Sequence, residues 1–329
     1  MNKKLTNLCI VNTEYTLLMY LVHMYPDAFS NTFFILGDSI KKEIADRFEH
    51  KMYVSSPTIL KSRFLQLLYF KFKFNNFPRS RYNIYCQDHL LFAQMIIGSS
   101  SYTLIEDSPG FFDMYIESKK YFINMNFAKS LNGKILKLLF GNLVTQNLGH
   151  NSNCINIIIA TPERNKFILS KKHTLCNMYE IWINLKKEYR ERILSIFDVT
   201  NNDIMELSKR KLILFTQPLT EIKGISIKKQ IEIYRKILSK YDQNEIILKT
   251  HPRDIVNYEI IFPNTYIFKK DIPSQLLDLI GCKFEKAITI FSSAVTSFSY
   301  NIQIDWYGTE IDEMLFKSEG HIAKPQIKY

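Results

Sequence analysis

Short runs of β-branched and aromatic residues recur through the first half of the chain: NLCIVN (7–12), TFFILGD (32–38), KMYVSS (51–56), YNIYCQD (82–88) and YTLIEDS (102–108). Between them the apolar period changes. YTLLMYLVHMY (15–25) and ILKSRFLQLLYFKF (59–72) carry apolar residues at helical spacing. Strand and helix therefore alternate, the pattern of a parallel sheet covered on both faces. The rhythm resumes with KLILFTQP (211–218), the helix SIKKQIEIYRKILSKY (226–241), EIILKTHP (245–252), TYIFKK (265–270), PSQLLDLIG (273–281), AITIFSSA (287–294) and QIDWYG (303–308). Residues 165–205 read as helical and charged, MYEIWINLKKEYRERILSIF being the clearest part. The expected division is a domain over residues 1–200 that includes this helical linker, and a second over 201–329.

A length of 329 residues with 46% hydrophobic content agrees with about two globular domains, each with its own core. The 43 Lys and Arg against 32 Asp and Glu give a formal net charge of +11, which favours anionic partners: nucleotides, nucleic acid or an acidic membrane surface. Nucleic-acid binding predicts a basic stripe interleaved with aromatics. Here the basic residues are scattered through amphipathic helices such as 226–241, which argues against that class. Five separated cysteines with no C-x-x-C pair indicate neither a zinc knuckle nor a disulfide framework, and point to a reducing cytosol. Asn7, Asn12, Thr13 and Glu14 interrupt the start too soon for a signal-peptide core, so it reads as a first strand and helix. No stretch approaches the roughly 20 apolar residues of a membrane span; membrane contact is expected to be peripheral.

Ligands of open α/β sheets sit beyond the carboxyl ends of the strands, so polar residues there carry weight. Three ends stand out. In IEDSPG, Glu106 and Asp107 leave an apolar strand and meet a turn; Asp107 or Ser108 as a helix cap, with Pro109 in its first turn, accounts for the pattern equally well. In IILKTHPRD, Lys249, His251 and Arg253 have the chemistry to clamp a phosphate while the imidazole serves a departing oxygen, whereas a bare His-Pro is ordinarily only a strand end. In TIFSSAVTS, Ser292 and Ser293 precede what reads as a helix start, a phosphate site or a plain N-cap.

In that order, IEDSPG, KTHPRD and IFSSAVT resemble the acidic, His-Pro and Ser-Ser motifs of bacterial sialyltransferases, above all the lipooligosaccharide sialyltransferase group, glycosyltransferase family 52. The likeness spans most of the chain as an order of motifs. It implies an α/β fold of GT-B architecture, two Rossmann-like domains with parallel sheets facing across a cleft, the first on the acceptor side and the second binding the CMP-sugar. It implies inverting transfer of sialic acid from CMP-sialic acid to a terminal galactose, without metal or other cofactor, through an α2,3 bond on lipooligosaccharide or capsule. His251 would protonate or hydrogen-bond the departing phosphate; Lys249, Pro252, Ser292 and Ser293 would surround it, and Glu106 or Asp107 would take the acceptor's proton. The pair is not split between these two. Three further candidates are Arg253 as an added cation, Asp271 as a ribose or cytosine contact, and Glu221, near Leu219 where some members carry a catalytic Asp. The family's Gly after the acid pair is Ser108 here, with Gly110 two places later.

Other GT-B transferases of surface polymers, a polysialyltransferase or a CDP-glycerol glycerophosphotransferase, are the rival enzymes. The expected location is the cytoplasm, at the inner face of the membrane, where the charge suits anionic lipid; a homodimer is compatible with this reading.

Overall fold

The first apolar run becomes β1 (Asn7–Val11), buried at every position, as a strand with neighbours on both sides and helices on both faces must be. The computed structural model describes residues 5–57, 59–109, 126–160 and 172–325. The chain divides into two units, Met1–Ile196 and Phe197–Tyr329.

In the first unit β1 pairs in parallel with β2 (Thr32–Gly37) on one side and β4 (Asn83–Cys86) on the other. With β3 (Lys51–Val54), β5 (Tyr102–Ile105), β6 (Cys154–Ile159) and β7 (His173–Leu175), the order across the sheet is β3-β2-β1-β4-β5-β6-β7, all parallel. The chain winds outward from β1 to β3 and then crosses to β4. The carboxyl ends of β1 and β4 therefore flank a switch point, where a doubly wound sheet leaves a crevice. The helix Glu14–His23 follows β1 directly. Thr13 caps it, accepting from the Thr16 amide, and eight consecutive residues from Tyr15 to Val22 are buried. An all-round apolar helix belongs inside.

Two strands go beyond the expected set. β6 is a plain β-branched run that the alternation of the other motifs does not include. β7 lies in the segment 165–205 expected to be helical, and corrects it: three residues pair with β6, Ile157 opposite His173, which local pattern cannot reveal because the strand is held only by its neighbour. Helices Met178–Asn184, Lys187–Ile196 and Asn201–Ser208 occupy most of the rest of that segment. Its residues 165–171 lie outside the described residues, as does Gly110.

In the second unit β8 (Leu212–Phe215), β9 (Ile246–Lys249), β10 (Tyr266–Phe268), β11 (Lys286–Thr289) and β12 (Gln303–Trp306) form a parallel sheet in the order β10-β9-β8-β11-β12. Its switch point lies between β8 and β11. The helix Ile227–Leu238, capped by Ser226, buries Gln230, Ile233, Tyr234, Ile237 and Leu238, one stripe at i, i+3, i+4, i+7 and i+8. Each fully buried Ile or Leu in that stripe contributes about 1.5–3 kcal/mol. Gln230 is the polar exception in the stripe.

The five cysteines are free thiols, with Cys9 on β1, Cys86 on β4, Cys176 after β7 and Cys282 in the second unit buried and Cys154 partly so. Among the described residues no helix is long and apolar enough to cross a membrane.

Candidate active site

At the carboxyl edge of the first sheet the two acidic residues part company. Glu106 is wholly buried. Its Oε2 accepts from the Tyr15 hydroxyl at 3.2 Å and from the Ala160 amide, just past β6, at 2.8 Å, while its carbonyl accepts from Thr16 Oγ1 at 3.0 Å. Tyr15 and Thr16 come from the first turn of the buried helix, so the helix that follows β1 clasps the end of β5. Burial, reinforced by the Glu106 carboxylate, raises the Tyr15 hydroxyl well above its ordinary range, and the same two causes push the Cys176 thiol up to about 12. Neither group is a nucleophile at neutral pH.

Asp107, one residue on, is half-buried. The Gln87 side-chain amide, at the end of β4, donates to its Oδ1. Burial raises its pKa above the ordinary carboxylate value, against the opposing pull of nearby His89 and of the Gln87 bond. A carboxylate with one oxygen fixed and a raised pKa has the properties of a general base. The residues after Pro109, where a capped helix was the alternative, lie outside the described residues. Asp88 is a framework group: buried, it accepts from Tyr102 Oη at 2.8 Å and from the Leu148 and Gly149 amides at 2.7 and 2.9 Å.

At the carboxyl edge of the second sheet, His251 to Asp254 form a turn closed by the Asp254 amide on the His251 carbonyl at 2.8 Å, with Pro252 exposed at the second position, where its fixed φ suits a turn. The His251 amide donates to Thr216 Oγ1 beyond β8 at 2.9 Å. The Arg253 amide donates to His251 Nδ1 at 3.1 Å. An N–H can be received only by an unprotonated ring nitrogen, so the imidazole is neutral and carries its proton on Nε2. Its pKa agrees in direction: burial lowers it first, and the Arg253 and Lys249 cations lower it further.

The other candidates divide by environment. Lys249 is 5% exposed, and its ammonium donates to the Lys270 carbonyl at 2.9 Å, so it ties β9 to the loop after β10 and acts on His251 through its field. Arg253 and Glu221 pair with each other at 2.7 Å in an exposed ion pair. Asp271 is buried, after β10. Ser292 Oγ accepts from the Ala294 amide at 3.3 Å and its own amide donates to Thr289 Oγ1 at 2.9 Å; Ser293 is exposed. The helix expected after the serines is a four-residue 3₁₀ turn, Ser293–Thr296. The β-branched and aromatic residues that follow favour helix poorly, and Phe298 turns into the core. Ser297 Oγ meets Ser274 Oγ at 2.6 Å, joining this loop to the one after β10.

Residues that sequence patterns passed over hold these groups in place. Gln230 accepts from the Thr220 amide at 3.0 Å and donates to Asp254 Oδ1 at 2.8 Å and Tyr258 Oη at 2.7 Å; Tyr258 donates in turn to Asp254 Oδ2 at 2.9 Å. A polar residue on the apolar stripe of helix 227–238 was the available signal. Gln87, immediately after β4, carried no signal beyond its position at a strand end.

Residues 30–314 match the model of glycosyltransferase family 52. An uncharacterized protein of Haemophilus influenzae is 28% identical over 239 residues, 73% of this chain and 72% of that protein. Among solved structures, the GT-B domain of a Photobacterium damselae sialyltransferase superposes with a TM-score of 0.58 at 12% identity, over 91% of this chain and 89% of that one. A Photobacterium 2,6-sialyltransferase in complex with CMP and lactose gives 0.60 at 10% identity, over 95% and 74%. An alpha-2,3-sialyltransferase of Photobacterium phosphoreum gives 0.55 at 10%, over 92% and 90%. The two sheets are thus those of a GT-B fold.

Proposed function

The chain belongs to glycosyltransferase family 52, and on that footing we propose that it transfers sialic acid from CMP-sialic acid to a terminal galactose of a lipooligosaccharide or capsule, with inversion. The observation that carries this reading is the His251 ring, held by the Arg253 amide with its Nε2–H available as donor at the carboxyl edge of a nucleotide-type sheet. In the reaction the acceptor oxygen bonds to the anomeric carbon as the bond from that carbon to the phosphate oxygen breaks, its electron pair leaving with CMP. The acceptor's proton passes to Asp107; Glu106, sealed by Tyr15 and the Ala160 amide, supports the strand end beneath it.

The departing group is a phosphate monoester whose second pKa is about 6, so at neutral pH it needs hydrogen-bond donors more than a proton. A neutral imidazole N–H meets that need; the Ser292 and Ser293 hydroxyls, two strands away at the same sheet edge, are the further donors, and the buried Lys249 adds the field of its charge. One phosphate carries little charge for a metal to offset, and the proposed reaction uses none. Lactose and CMP are bound by one of the solved neighbours, and its acceptor supplies the first substrate to try. Those neighbours include both a 2,3- and a 2,6-sialyltransferase, so the fold leaves linkage open; the proposed bond is α2,3. Peripheral contact with an anionic inner leaflet rests on the net charge of +11, and sedimentation with anionic and neutral vesicles tests it.

The deciding assay is CMP release from CMP-sialic acid with and without lactose, in EDTA. Lactose-stimulated release that survives EDTA is expected, with the product cut by an α2,3-specific sialidase. Absence of both release and CMP binding would overturn the donor, and CDP-glycerol would be tried next.

A further inference from the structure

Four strand ends of the first sheet are joined by a row of polar contacts that runs across its switch point into Asp107. Beyond β2, the Ser39 amide donates to Asn12 Oδ1 at 2.9 Å, and Asn12 Nδ2 donates back to Ser39 Oγ at 3.0 Å. Gly37 makes room for this: a Cβ there would lie 2.1 Å from Asn12 Oδ1. The Asn12 amide, just past β1, donates to Gln87 Oε1 at 2.5 Å, and Gln87 Nε2 donates to Asp107 Oδ1. The Gln87 backbone amide continues the ladder onto the Ile10 carbonyl at 3.0 Å, and the residue is wholly buried.

The direction of the last bond is fixed by the first. A backbone N–H requires an acceptor, so Asn12 claims the amide oxygen of Gln87, and the NH₂ group must face Asp107. We infer that Gln87 is the positioning residue for the acceptor-side carboxylate: it orients Asp107 through one oxygen and leaves the second to receive the proton of the incoming hydroxyl. This rests on the reading of Asp107 as the base. Glutamine alone meets both demands at this position. Glutamate would satisfy Asn12 but present a second carboxylate to Asp107, and an apolar residue of the same length would leave both half-buried partners unmet. Among the described residues, the titratable groups around Asp107 are Glu106 beside it, Tyr15 on the helix after β1 and His89 in the turn after β4. Neither Gln87→Glu nor Gln87→Met touches them.

The test compares wild type with Gln87→Glu, Gln87→Met and Asp107→Asn. Two readouts are used: the ¹³C chemical-shift titration of the Asp107 carboxyl, which needs no substrate, and the acid limb of kcat/KM for lactose-dependent CMP release. In Gln87→Glu the Asp107 midpoint should rise by about one pH unit or more, since a like charge replaces a donor; Gln87→Met should raise it by less. The acid limb should move with it, at unchanged KM for CMP-sialic acid. An unmoved midpoint in the folded variants, or a midpoint that moves without the limb, would overturn the positioning role. Loss of fold in both variants would overturn it as well, making Gln87 part of the framework only. Activity retained in Asp107→Asn instead overturns the base, a separate failure that the carboxyl titration leaves distinguishable.

Discussion

Asp107 and His251 each follow the end of a parallel strand one step from a switch point, and each is half-buried, yet they are held by different means. Asp107 is gripped by a side chain, Gln87, which is itself gripped by Asn12. The His251 ring is gripped by main chain: its own turn supplies the Arg253 amide to Nδ1 and closes with a backbone bond, while the Thr216, Gln230 and Tyr258 side chains brace the turn from outside. The difference teaches where each site is vulnerable. An edge built of side chains is altered by substitutions one or two residues away in the network, whereas an edge built of a turn tolerates changes to its neighbours' side chains so long as the turn keeps its shape.

The strongest way to break this contrast is within the acidic pair. Asp107→Asn should cost roughly 10²–10⁴ in turnover, the range for loss of a general base, with an unchanged denaturation midpoint. Glu106→Gln should show the reverse weighting. Both donors, Tyr15 Oη and the Ala160 amide, meet one oxygen, which the glutamine carbonyl can still supply, so urea denaturation should report a loss of about 1 kcal/mol as those bonds weaken. If Glu106→Gln instead abolishes turnover in a stable protein, the two roles exchange.

An effect of the same order sharpens the other side. His251→Ala should lower kcat by roughly 10²–10⁴, whereas His251→Gln, which can place an N–H near the Nε2 position, should recover most of that loss. The pH profile follows from the directions of the two shifts. Asp107 must be ionised, and its pKa is raised, so activity should fall as pH drops through a midpoint above the usual carboxylate value of about 4. As the proposed neutral donor, His251 has its pKa lowered, so its deprotonation is complete below the usual imidazole value of about 6.5 and no loss of activity should follow as pH rises past 7. An alkaline limb abolished in His251→Gln would restore the imidazole to a proton donor.

The smallest expected effect is at Arg253. Its side chain forms an exposed pair with Glu221, worth at most about 1 kcal/mol, and the group that orients His251 is its backbone amide. Arg253→Ala should therefore leave stability and kcat within a few-fold of wild type; a loss as large as that of His251→Ala would assign the guanidinium to the donor phosphate.

Ten of the twelve strands among the described residues were legible, because burial on both faces of a parallel sheet writes itself as β-branched runs such as Ile246 to Leu248. β7 was not, since three residues paired to a neighbour carry no periodic signal. The motifs Glu106-Asp107, His251-Pro252 and Ser292-Ser293 were legible as strand-end polar groups. What separates Glu106 from Asp107 is contact with Tyr15, Ala160 and Gln87, from distant segments, and no local pattern encodes it. The pairing of Glu221 with Arg253 and the inward turn of Lys249 are likewise products of strand order.

The buried thiols open a different kind of experiment. Cys9 and Cys86 lie on the central strands of one sheet, and burial raises both well above the usual thiol range; Cys282 lies in the other unit, pushed up to about 12 by burial and Asp278. Alkylating reagents need an exposed thiolate, so modification at each of these positions waits for local opening. Site-resolved labelling followed by mass spectrometry would clock the breathing of each unit independently, and a nucleotide that rigidifies the second alone would slow Cys282 while leaving Cys9 and Cys86 at their own pace.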